Sequence, residues 1–178
     1  MIIRIATFIL LLLLSSASHA HQDVEIQIMP DGKLLGLPKQ YQPASLEVAF
    51  SGNDRSRRPS SIVLSVGNRT TTVPRCVAQI INTTDNEQIG ASASWYHTRS
   101  TLPPYLNVIF LDPGQDTSSW PNSGFSLLFN LETSKLIRME ISVARKEERS
   151  MQSLAVDLSQ SCGAAELTDF YQPLPARP

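Results

Sequence analysis

The chain has 178 residues, 15 basic and 16 acidic, for a formal net charge of −1 at neutral pH. That balance excludes the basic excess on which nucleic-acid binding rests, and without a polybasic stretch it excludes charge-driven docking to anionic membranes. With 42% hydrophobic and 17% charged residues, the chain has the apolar material for a packed core.

Residues 1–20 read as a secretory signal peptide. Arg4 supplies a positive start, Ile5 to Leu14 form an uncharged apolar run, and Ser15 to Ala20 are nearly all small. The run is shorter than the roughly 20 apolar residues that span a bilayer, and the three-part layout is that of a cleaved signal. Ser18 and Ala20 stand at the positions that direct cleavage before His21. The expectation is an exported protein, periplasmic or extracellular and soluble after cleavage, with no integral membrane segment. The remaining 158 residues, 14 basic and 16 acidic, suit a single domain.

From there the dominant hydrophobic period is two. Val24, Ile26 and Ile28 alternate with Glu25 and Gln27, and Pro30-Asp31-Gly32-Lys33 reads as a turn. Leu46, Val48 and Phe50 form a second strand pattern. Ile62 to Val66 leads into Gly67-Asn68, a two-residue hairpin signal, and Thr70 to Val73 returns. Arg55, Arg57 and Arg58 fall in a polar loop and read as a solvated tip. Cys76 to Ile81 and Ile89 to His97 read as further strands, the second with Ala91, Ala93 and Trp95 on one face. Tyr105 to Leu111 is nearly all apolar, the pattern of a central strand buried on both faces. Phe125 to Leu131 and Leu136 to Val143 follow, and Leu154 to Leu158 makes a last strand. Ala164 to Phe170 has helical character, and the tail with Pro173, Pro175 and Pro178 cannot extend a helix or a central strand.

Roughly eight to ten short strands with turns between them predict an all-β fold, a single antiparallel β-sandwich of immunoglobulin-like type. It should occupy residues 21–162, with a short helix or turn and an irregular tail over 163–178. Two cysteines, Cys76 and Cys162, are present. In an oxidising compartment such a pair predicts one disulfide.

The catalytic signatures are missing: there is no Gly-x-Ser-x-Gly elbow, His-Glu-x-x-His, phosphate loop or dinucleotide fingerprint. A hydrolytic triad would have to use His97 as its base. The loop from Asp112 to Asn122 carries hard oxygen ligands without the regular acid spacing of a calcium site. The reading from these absences is a non-catalytic binding protein that takes a protein or glycan through end loops. Trp120 is the leading contact, because Ser118-Ser119-Trp120-Pro121-Asn122 puts an apolar ring in a polar loop, where it needs a groove or a partner. Asn122 and Tyr96 join it as candidates. Trp95, beside Ala91 and Ala93, reads as core. Asn68-Arg69-Thr70 and Asn82-Thr83-Thr84 are glycosylation sequons in a host that uses them.

A second reading uses the histidines. Cleavage after Ala20 makes His21 the first residue, so that its α-amine and ring nitrogen act together, and His97 completes a three-nitrogen set suited to copper. The stretch from His21 through the first strand, Pro30-Asp31-Gly32, Leu34-Leu35, Pro38 and Phe50-Ser51 resembles the periplasmic copper-resistance carriers, a family of small β-sandwiches. That resemblance implies a copper-binding role for His21. The family's late Asp-Gly-His motif has no counterpart in this chain, so its second histidine maps onto no motif residue, and His97 is the one other histidine of the mature chain.

Overall fold

Turn chemistry sets the first corner of the fold. The computed structural model describes residues 23–50, 58–81, 89–95, 102–112, 123–145 and 150–173; residues 1–20, expected to be a signal peptide, lie outside them. β1 (Val24–Ile28) reverses through Pro30-Asp31-Gly32 into β2 (Leu34–Leu35). Met29 N–H donates to the Lys33 carbonyl and Gly32 N–H to the Met29 carbonyl, both at 2.8 Å. Gly32 takes φ +82, and a Cβ there would sit 2.7 Å from the Leu46 carbonyl oxygen. Glycine alone meets both demands.

β3 (Ala44–Phe50), β4 (Pro59–Val66) and β5 (Arg69–Thr72) form a three-stranded antiparallel sheet. Gly67, at φ +61, opens the two-residue hairpin between β4 and β5. The expected strand at Cys76–Ile81 is instead a short helix, α1 (Arg75–Ala78). The reason is local. Pro74 starts the turn without needing an N–H, and Val77, Ala78 and Ile81, all fully buried, recur at helical spacing.

β6 (Ile89–Ser94), β7 (Tyr105–Asp112), β8 (Ser123–Asn130), β9 (Leu136–Arg145) and β10 (Ser150–Ala155) then run as an antiparallel meander. With β1 and β2 they form a seven-stranded sheet, ordered β10-β9-β8-β7-β6-β1-β2. The two sheets make a sandwich-like, mostly β fold without a closed barrel. They are joined at one corner, where Lys33 bridges Ser45 and Leu46 N–H donates to the Gly32 carbonyl at 2.8 Å.

The core lies between the inner faces. Leu46, Ile62, Leu64 and Val66 come from the small sheet, and Ala93, Leu106, Val108, Phe110, Leu127, Phe129 and Met139 from the large one. The alternation is that of a sheet with one covered face. This corrects the expectation for β7: it is central, yet only one of its faces meets a second sheet. On the other, Tyr105 joins a small cluster with Leu128 and Ile137, Ile109 is half-buried, and Leu111 is 39% exposed.

Cys76 and Cys162 form the expected disulfide, with Cα atoms 5.4 Å apart. It ties α1 to the chain that follows β10. That chain buries Leu158 and Cys162, forms α2 (Ala164–Thr168), and returns to the sheet. Phe170 packs edge-on against Phe129, ring centroids 6.4 Å apart. Leu136 N–H donates to the Phe170 carbonyl at 2.9 Å and Gln172 N–H to the Leu136 carbonyl at 2.8 Å, so the terminal segment is pinned to β9.

Candidate binding end of the sandwich

Strand register decides which connections share an end. Ile89 pairs with Phe110, Asp112 with Ser123, Ser123 with Val143, and Arg145 with Ser150. The strand ends that bracket residues 82–88, 113–122 and 146–149 therefore lie at one end of the large sheet. β3 rises from its bridge at Ser45 past the Pro30-Asp31-Gly32 turn and pairs Phe50 with Pro59, so residues 51–57 are bracketed at that end as well. A sandwich end of this kind holds variable connections on a rigid frame, the arrangement that carries recognition in many β-sandwiches.

The corner beside the turn leaves a cleft of about 650 Å³, within the roughly 300–1,000 Å³ typical of ligand sites. Ile28, Met29, Leu46, Val48 and Ile89 give it an apolar lining, and Asp31 and Glu47 add exposed carboxylates. Lys33 Nζ lies 2.5 Å from the Asp31 carboxylate, and Lys33 N–H donates to it at 3.1 Å. Both contacts hold the Asp31 carboxyl below its ordinary range, the side-chain one most strongly. Sequence reading missed this cleft because it joins residues near positions 30, 47 and 89. Its one local signal was an apolar Ile28-Met29 pair running straight into a turn.

Trp120 and Asn122 lie outside the described residues, in the connection bracketed by Asp112 and Ser123. Tyr96 also lies outside them, and its connection is bracketed by Trp95 and Leu102 at the opposite end of the large sheet, where Ser94 pairs with Tyr105. Trp95 itself is half-buried and packs against the main core, as its spacing with Ala91 and Ala93 implies.

His21 and His97 are likewise outside the described residues. The pairing of Val24 with Ala93 means the chain leads toward both of them from adjacent strands at one end, opposite the cleft. There the Tyr105 hydroxyl donates to the Asp23 carboxylate at 2.6 Å. Burial, reinforced by that bond, pushes the Tyr105 hydroxyl up to about 12. Among the described residues no group of three or more His, Cys, Asp or Glu is placed to hold a metal ion, and no helix is long and apolar enough to cross a membrane.

These features define the chain as an antiparallel β-sandwich protein with one disulfide. Compared with known proteins, it matches no family model, no curated protein and no solved structure.

Proposed function

We propose that this is an exported, non-catalytic binding protein of the β-sandwich class, which takes a protein or glycan through the loops at one end. The observation that carries the reading is the platform beneath the 113–122 connection. β7 and β8 pair without interruption from Tyr105–Asn130 to Asp112–Ser123, at the centre of the large sheet and at the same end as the apolar cleft. Strand ends paired so regularly fix where the connection leaves the sheet and where it returns. Trp120 provides an aromatic face and Asn122 a polar anchor, while Tyr96, bracketed at the other end, stands apart from this surface. Replacing Trp120 with alanine should weaken ligand binding about tenfold or more while leaving the fold intact. Undiminished binding by a folded Trp120→Ala protein refutes the assignment.

A second reading, copper held by His21 and His97, is supported by the Val24–Ala93 pairing, which starts both histidine-bearing segments from neighbouring strands. Titration of copper into protein with a native His21 terminus, beside protein extended by one residue, distinguishes the readings. Tight stoichiometric binding lost on extension supports the copper site. Binding indifferent to the extension removes it.

A further inference from the structure

Edge strands that remain soluble usually carry a charge, a proline, a bulge or a cover. Among the described residues, β2 is only two residues long and follows directly on Lys33, which bridges Ser45 of β3, and β5 is four residues long, begins with Arg69 and is followed closely by Pro74. Among the described residues β10 has none of these protections within its own length. Its six residues, Ser150 to Ala155, include no charge and no proline, its pairing with β9 shows no register shift, and it ends the strand order of the large sheet.

The phase of β10 is fixed by the bond from Val156 N–H to the Met139 carbonyl, 2.9 Å. In an antiparallel ladder the bonded pairs alternate, so Ser150, Gln152 and Leu154 turn their backbone groups toward β9. Met151, Ser153 and Ala155 turn theirs outward. We propose that this edge pairs antiparallel with the same edge of a second copy of the chain, with Ser153 on the two-fold axis.

The geometry singles out that register. With Ser153 opposite itself, Met151 stands opposite Ala155 of the second copy, and every outward N–H and C=O of the three residues finds a partner. Shifting the register by one residue would place inner faces against outer faces. Shifting it by two would leave outward groups unpaired. Leu154, 49% exposed, comes opposite Gln152 of the second copy and loses water contact. No charge on either strand repels the other. A single strand edge buries less than the roughly 1,200 Å² at which standard stable interfaces begin, so the dimer is a concentration-dependent one, continuing the large sheet across both copies.

Sedimentation velocity of the purified protein over a wide concentration range tests this. The wild type should shift from monomer to dimer. Ser153→Pro removes an outward N–H without touching the β9 ladder and should weaken dimerisation about tenfold or more, since the two symmetry-related bonds are lost together. Ser153→Lys and Ser153→Glu should each be monomeric alone and dimerise when mixed, a rescue that a folding defect cannot produce. A wild type that stays monomeric at every concentration overturns the proposal. So does a dimer undiminished by Ser153→Pro, or a Lys and Glu mixture that does not associate.

Discussion

In the loop between β8 and β9, Ser134 adopts φ +59 and buries its hydroxyl with no hydrogen-bond partner among the described residues. The loop tolerates this because the Asn130 side chain accepts from Glu132 N–H at 2.7 Å and its carbonyl accepts from Ser134 N–H at 2.7 Å, which fixes the turn. A left-handed non-glycine residue costs about 1–2 kcal/mol, and an orphaned buried hydroxyl about 1–3 kcal/mol. Glycine removes both penalties but adds about 0.5–1 kcal/mol of chain entropy in the unfolded state. Ser134→Gly should therefore raise stability by about 1 kcal/mol or more, read as a higher urea midpoint at an unchanged slope; an unchanged or lower midpoint contradicts this. Tyr105 makes a second prediction at this scale. Its folded-state value is about 12 against an ordinary 10.0, so its contribution is fully present below pH 10. It is lost as pH rises from 10 toward 12, because the unfolded state ionises first. Tyr171, also raised by burial, adds in the same direction. Unfolding measured across that window should show a shallower decline in Tyr105→Phe than in the wild type.

Among the elements, the disulfide does most to hold distant segments together. It closes a separation of 86 residues between α1 and the terminal segment, and chain-entropy reasoning assigns such a loop about 4–5 kcal/mol. Replacing Cys76 and Cys162 together by serine should lower the unfolding free energy by up to that amount. A loss below about 1 kcal/mol would mean the terminal segment holds through Phe170 and the Leu136 backbone bonds alone. The sequence announced this pairing, most strands and the Pro30-Asp31-Gly32 and Gly67-Asn68 turns, because period two and turn chemistry are local signals. It did not announce α1. A short, mostly apolar run such as Cys76–Ile81 reads as strand or helix alike, and the buried set Val77, Ala78 and Ile81 declares the helix only once its neighbours are known. β7 misled for a related reason: an apolar strand shows that it is central, not how many of its faces are covered. The cleft was illegible because it exists only where β1, β3 and β6 meet, whereas Trp120 stands out in the sequence as an apolar ring among polar neighbours.

At the scale of the molecule, a three-stranded sheet covers part of a seven-stranded one, and that mismatch organises the surface. The overhang leaves Leu154 exposed on β10, the last strand in the order of the large sheet, and the corner where the sheets diverge opens the cleft. Four connections are bracketed at the cleft end, one of them carrying Trp120 and Asn122, while the segments leading to His21, Tyr96 and His97 leave from the other. The proposed recognition surface and the alternative copper site would therefore fall at opposite ends, so substitutions at one should leave the other unaffected. The most direct test of the central reading is binding of the purified protein to immobilised panels of defined glycans and peptides, wild type beside Trp120→Ala, with matching thermal melts confirming the fold. The wild type should hold a ligand whose affinity falls about tenfold or more in Trp120→Ala, the scale of a buried aromatic anchor. Ligands bound equally by both proteins, or none bound by the wild type, would contradict the central reading.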